Sequence, residues 1–233
     1  MSEYETRLDI SDYIIMQDTD DYGFSQDSVI LANLADIGKN DVVLDIGCGT
    51  GILSTLAIVK KGVKSAVGID VQKHACDLAR KSVQINGLQD KLQIIDGDVR
   101  DIKNLVKTES FDAVLCNPPY FRSGASENAK GVSRTESGAD IADFVKGAAW
   151  ALRFGGDLYI VYKADRLVSL FTALANCNLA PKEMTVVFPK LSKGGDVVIV
   201  KARKGAKEGL KIKSLVVKDE DGKDTIEFKE LYD

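Results

Sequence analysis

From residue 41 to about residue 200, short apolar runs of strand formers alternate with amphipathic runs of helical period. VVLDI (42–46) precedes a helical stretch near 51–61, SAVGID (65–70) precedes another at about 73–86, and KLQIID (91–96) leads into a short helical or irregular piece. FDAVLC (111–116) stops at two prolines, a polar loop leads to a helix at about 138–153, and DLYIVY (157–162) precedes a helix at about 164–178. MTVVFP (184–189) and DVVIVKA (196–202), split by a short Lys/Gly turn, read as an antiparallel pair. Alternating βα units leave few choices: an α/β fold with a mainly parallel sheet and helices on both faces.

Composition narrows the class further. With 233 residues, 45% of them hydrophobic, one α/β domain can bury a sizeable core without staples. No apolar run approaches the roughly 18–20 residues of a membrane helix. The start MSEYETRLDI is too polar and acidic for a secretory signal. A soluble, cytoplasmic monomer with no membrane partner is the expectation. Cys48, Cys76, Cys116 and Cys177 form no C-x-x-C pair, so neither a metal site nor a disulfide framework is expected. His74, the single histidine, sits among polar residues and reads as a surface residue, which weakens histidine-based catalysis. Thirty-one basic against 35 acidic residues give a net charge of −4. That argues against nonspecific nucleic-acid binding and leaves room for a local basic patch.

VVLDIGCGTG (42–51) sets Gly47, Gly49 and Gly51 directly after a buried strand and before a helix. Glycine lets the backbone turn tightly and a ligand approach closely. The spacing is G-x-G-x-G, not the dinucleotide G-x-G-x-x-G, and Asp45 just before it suits a cationic ligand better than a pyrophosphate. The next strand ends in Asp70, placed to accept both hydroxyls of a ribose. IIDGDV then supplies Asp98 as an acceptor for an adenine amine. Singly, each acid reads equally well as a helix cap or turn residue. Three successive strand ends beside a glycine turn favour a ligand.

DIGCGTG, GID and DGDV resemble motifs of the class I S-adenosylmethionine-dependent methyltransferases, over residues 41–202. The resemblance implies a Rossmann-like seven-stranded sheet whose last two strands are the antiparallel pair. It implies S-adenosylmethionine as cofactor and S-adenosylhomocysteine as product. Asp45, Gly47, Gly49 and Gly51 would line the methionine side, Asp70 the ribose, and Asp98 with Val99 the adenine, with Val71 and Asn117 also at the cofactor.

The stretch LCNPPYF (115–121) extends the resemblance. In these enzymes an N-P-P-Y corner after the fourth strand marks methylation of a conjugated NH2 group. The Asn117 side-chain oxygen and the Pro118 carbonyl would each accept one N–H, aiming the amine's lone pair at the methyl; the prolines hold both acceptors rigidly. Tyr120 would stack on the flipped base, with Phe121 beside it. No strong base is needed, because the amine becomes acidic only as it acquires the methyl. Similar enzymes methylate DNA adenine, RNA bases or a protein glutamine amide. About 40 residues precede the core, fewer than the helical domain of release-factor enzymes, and a DNA target-recognition domain does not fit this length.

MQDTDDYGFSQDSVILANLA (16–35) resembles the segment before the core in the bacterial valine-tRNA (adenine-N6)-methyltransferases. Gln17, Phe24, Ser25, Asp27 and Ser28 fit its Q…FSxDSxLLA pattern, which folds over the cofactor. NPPYFRSG, FGGDLYIVYKADRL, DVVIVKARKGAKEGLKI and LVVKDEDGKDTIEF also resemble that family, so coverage is nearly full length; Thr135 in SRTES replaces the histidine of its R-H-E. The resemblance implies a tRNA partner and N6-methyladenosine beside the anticodon. Other conjugated amines, or a non-catalytic RNA-binding module, are the alternatives. The tail KARKGAKEGLKIK (201–213) holds six bases against Glu208, and the loop after the corner adds Arg122, Lys130 and Arg134. Of these, Lys204, Lys207 and the three loop bases are expected at tRNA phosphates. The expected organisation is a covering segment at 1–40, a core at 41–203, and a basic tail with a short closing helix at 204–233.

Overall fold

The apolar runs assemble into an eight-stranded sheet in a computed structural model, which describes residues 3–8, 12–19, 24–119 and 138–231. The strands are β3 (Val42–Ile46), β4 (Ser65–Asp70), β5 (Leu92–Asp96), β6 (Phe111–Cys116), β7 (Leu152–Lys163), β8 (Leu179–Lys190), β9 (Val197–Lys204) and β10 (Lys211–Lys218). Their spatial order is β10-β8-β9-β7-β6-β3-β4-β5. Only β9 runs antiparallel to its neighbours β7 and β8. Central strands are apolar on both faces because both faces are covered. In β3, Val43 packs with one core cluster and Leu44 and Ile46 with the other. Helices α1 (Gln26–Leu34), α2 (Ile52–Val59), α3 (Lys73–Ile85) and α7 (Ile226–Glu230) cover the first face. Helices α4 (Ile102–Leu105), α5 (Ile141–Ala151) and α6 (Leu167–Asn176) cover the second. Among the described residues no helix is long and apolar enough to cross a membrane.

The expected strand count of seven is corrected to eight. The extra strand, β10, comes from the Lys-rich stretch read as a tail, and pairs in parallel with β8. Its alternation is real: Leu215 and Val217 are buried in the cluster that holds Phe228 of α7, while Lys211, Lys213 and Lys218 are exposed. Lysines along an outer strand also discourage further pairing. β7 begins earlier than expected: Leu152 pairs with Phe111, and a register shift before Ala113 pairs with Asp157 takes up the intervening residues.

The N-terminal segment forms a separate antiparallel ribbon, β1 (Glu3–Arg7) with β2 (Ile14–Asp18). Side chains of α3 stand in for a third strand. Asn86 Oδ1 accepts from Ile14 N at 2.8 Å, Asn86 Nδ2 donates to Ile14 O at 2.6 Å, and Ser82 Oγ accepts from Met16 N at 2.9 Å.

Candidate active site

From β3 the chain continues on one side to β4, while β6 lies on the other side, so the strand order reverses beside β3. Crevices at such switch points, outside the carboxyl ends of the strands, are where open α/β sheets bind ligands. A cavity opens there, walled by the glycine turn, the end of β4, Gly97 and Val99, the first turn of α1, the Asn117–Pro119 corner and Phe144 of α5.

The glycine turn needs glycine. Gly47, Gly49 and Gly51 have φ of 77°, 54° and 84°, a region that side chains with a Cβ rarely adopt. The space a Cβ on Gly49 would fill is open within 4 Å, which leaves room for a ligand against the backbone. Asp70 closes the turn from β4: its Oδ2 accepts from Gly49 N at 2.8 Å and its Oδ1 from Gln72 N at 2.9 Å. Asp45 stands beneath the turn, not in the cavity wall. It is 0% exposed, and its Oδ2 accepts from Ser54 N at 3.1 Å and Ser54 Oγ at 2.7 Å. Burial pushes its carboxyl up to about 7, with the Ser54 bonds opposing; burial also raises Asp70, with the Gln72 and Gly49 N–H groups opposing. Among the described residues the cavity wall carries the acids Asp27 and Asp70 and no basic side chain. An open cradle floored by buried acids fits a ligand with an ammonium and a sulfonium.

Phe24, Ser25 and Asp27 line the cavity from α1, where Ser25 is the N-cap and accepts from Ser28 N at 3.4 Å. Val71 and Val99 line it too. Asp98 is turned away: Arg100 grips its carboxylate through Nε at 3.0 and 3.1 Å and through Nη2 at 2.5 Å, which holds it below the usual carboxylate range. Asn117 and Pro118 face the cavity, and the Asn117 amide nitrogen donates to Ser28 Oγ at 2.8 Å and Ser25 Oγ at 3.2 Å. Tyr120, Phe121, Arg122, Lys130, Arg134 and Thr135 lie outside the described residues.

Lys204 and Lys207 are not brought to the cavity. The carboxyl end of β9 faces the amino ends of the parallel strands, with Arg203 opposite Asp157 at the start of the β6-paired part of β7. Eight residues of strand separate the two edges by roughly 25 Å. There Lys204 Nζ donates to Ala149 O (2.8 Å) and Leu152 O (2.7 Å), closing the C-terminus of α5, and pairs with Glu109 at 3.1 Å. His74 is half-buried, not a plain surface residue; its Nε2 lies 2.6 Å from Oδ2 of the buried Asp18. Residues that the sequence reading left out include Phe144 and Gln72. Phe144 carries no local signal, because only packing brings α5 to the cavity. Gln72 is legible as the N–H two residues beyond a turn acid.

The chain matches the model of the family described as the methyltransferase small domain over residues 23–180. A tRNA1(Val) (adenine(37)-N6)-methyltransferase of Vibrio vulnificus (strain YJ016) is 34% identical over 105 residues, 45% of this chain and 43% of that protein. A protein of Methanocaldococcus jannaschii, named as a candidate protein N5-glutamine methyltransferase, is 37% identical over 107 residues, 46% of this chain and 50% of that one. These two alignments thus span about half of each relative or less. A tRNA1(Val) (adenine(37)-N6)-methyltransferase of Shewanella sp. (strain MR-4) is 24% identical over 210 residues, 89% of both chains. Among solved structures, a predicted O-methyltransferase from Agrobacterium tumefaciens superposes with a TM-score of 0.69 at 18% identity, covering 88% of this chain and 94% of that one. The geranyl diphosphate C-methyltransferase of Streptomyces coelicolor A3(2), solved with S-adenosyl-L-homocysteine, gives 0.56 at 13%, covering 77% and 78%. At such identities the likeness is one of fold. On the match over residues 23–180, the chain belongs to the methyltransferase small domain family, with S-adenosylmethionine as its cofactor.

Proposed function

We propose that the chain transfers a methyl group from S-adenosylmethionine to the exocyclic N6 amine of an adenosine in tRNA, the adenosine beside the anticodon of a valine tRNA. The observation that carries the proposal is that the Asn117–Pro118 corner shares one cavity with Asp70 and the glycine turn. The relatives named for this activity support it, one of them along 89% of both chains.

Phe24, Ser25, Asp27, the glycine turn, Asp70, Val71 and Val99 hold the cofactor, with Asp45 beneath the turn. Asp98 serves the adenine only after it turns from Arg100. Bound there, S-adenosylmethionine supplies an electrophilic methyl on a sulfonium. Asn117 Oδ1 and the Pro118 carbonyl accept the two N–H groups of the target amine, which directs its lone pair into the cavity. Tyr120, with Phe121, stacks on the extruded base. Arg122, Lys130 and Arg134 follow the phosphates. Lys204, engaged at the end of α5, is left out of this reading.

The test is incubation with labelled cofactor and an unmodified valine tRNA transcript, in parallel with a glutamine-bearing release-factor peptide, then digestion and mass analysis. N6-methyladenosine in the tRNA is expected. Methylglutamine in the peptide, with unmodified tRNA, would move the substrate to a protein amide, the reaction named for the Methanocaldococcus relative.

A further inference from the structure

The Asn117 side chain is held from behind by helix α1. Its amide nitrogen has two hydrogens and two acceptors, Ser28 Oγ at 2.8 Å and Ser25 Oγ at 3.2 Å. In this arrangement the amide nitrogen faces α1, and Oδ1 lies on the side away from it. The acceptors are themselves anchored. Ser28 is 5% exposed, and its N–H is bound to the Ser25 cap. Gln17, also 5% exposed, accepts from Phe24 N at 2.9 Å and donates to Thr6 on β1. The ribbon is fastened in turn to Ser82 and Asn86 of α3.

We infer that Ser28 is a positioning residue for methyl transfer: its hydroxyl, with that of Ser25, sets the Asn117 amide so that its oxygen meets the target amine. The inference rests on the reading of the corner given above. An amide turned over by half a revolution offers the amine an N–H donor where an acceptor is required, so attraction becomes repulsion. Without the Ser28 hydroxyl the shorter of the two bonds that oppose this turn is gone. The N-terminal segment thus acts on the chemistry through Asn117 as well as covering the cavity.

The experiment compares Ser28→Ala, Ser28→Thr, Asn117→Ala and the Ser28→Ala/Asn117→Ala double variant. The readouts are single-turnover methyl transfer to an unmodified valine tRNA transcript and calorimetric binding of S-adenosylmethionine. Ser28→Ala is expected to lose roughly tenfold to a hundredfold in rate, the scale of a small misplacement at a reacting centre, with cofactor affinity within about twofold. Ser28→Thr, which keeps the hydroxyl, recovers most of the rate. In the double variant Ser28→Ala adds no further loss, because both changes act through one group. A Ser28→Ala enzyme at the wild-type rate beside an impaired Asn117→Ala overturns the positioning role alone. Losses that multiply in the double variant do the same. An Asn117→Ala enzyme at the wild-type rate overturns the reading of the corner and this inference with it.

Discussion

Asp45 sits wholly buried in the central strand, and among the described residues its Oδ1 has no hydrogen-bond partner. With the folded-state value raised from 3.8 to about 7, the folded chain holds this proton more tightly than the unfolded chain. The group therefore favours folding below pH 4, and that contribution is lost as pH rises through 7, by at most about 4 kcal/mol. Asp45→Asn keeps an acceptor for Ser54 and removes the buried charge. Urea unfolding at a series of pH values should show the variant more stable than wild type at pH 8, with a flatter profile between pH 4 and 7. Its affinity for S-adenosylmethionine at pH 8 should fall by about tenfold, since a negative charge beneath the cradle of a cationic ligand is gone. Parallel pH profiles would remove Asp45 as a titrating group. Asp70→Ala leaves Gly49 N–H and Gln72 N–H without their acceptor and should weaken cofactor binding by about 1–3 kcal/mol. Unchanged calorimetric affinity would remove Asp70 from the site. Strand-end acids are legible in a sequence, but whether a carboxylate enters the wall is not. Asp45 works beneath the turn through Ser54, and Asp98 is drawn onto Arg100 two residues on.

At the scale of elements, the basic stretch 201–213 divides into three structural jobs: the end of β9, a turn, and the start of β10. A run of lysines gives no sign of which edge of the sheet it will reach, because that depends on the direction of β9, set by pairing with β7 and β8. Lys204 is only 16% exposed in its side chain and holds two carbonyls at the end of α5. Lys204→Ala should therefore lower stability by about 1–3 kcal/mol in urea unfolding, the scale for hydrogen bonds from a charged group. The salt dependence of tRNA binding should be that of wild type. A flattened salt slope at full stability would restore Lys204 to the RNA surface. β10 was missed, because the Lys-rich stretch reads as a tail and its parallel ladder with β8 is a long-range pairing. Leu215→Ala, which opens a cavity under α7, should cost about 2–5 kcal/mol and leave cofactor affinity unchanged, since β10 lies at the far side of the sheet. Loss of cofactor binding in a folded variant would show that the edge reaches the site.

Across the whole molecule, the alternation of periods carried most of the fold, because the central strands are apolar on both faces and helices follow β3, β4, β5 and β7. What it could not carry is the closure of the site by distant parts. Helix α1 meets the corner 89 residues away in sequence through the Ser28–Asn117 bond, and α5 contributes Phe144 to the wall. Cofactor cradle and acceptor corner are thus separate in sequence and joined in one cavity, so binding and chemistry should separate under mutation. The most direct measurement takes Asn117→Ala and determines, on the same preparation, calorimetric affinity for S-adenosylmethionine and the single-turnover rate of methyl transfer to unmodified valine tRNA. Affinity close to wild type, with a rate lower by roughly a hundredfold or more, is the predicted result. A variant that still forms N6-methyladenosine at close to the wild-type rate would contradict the account.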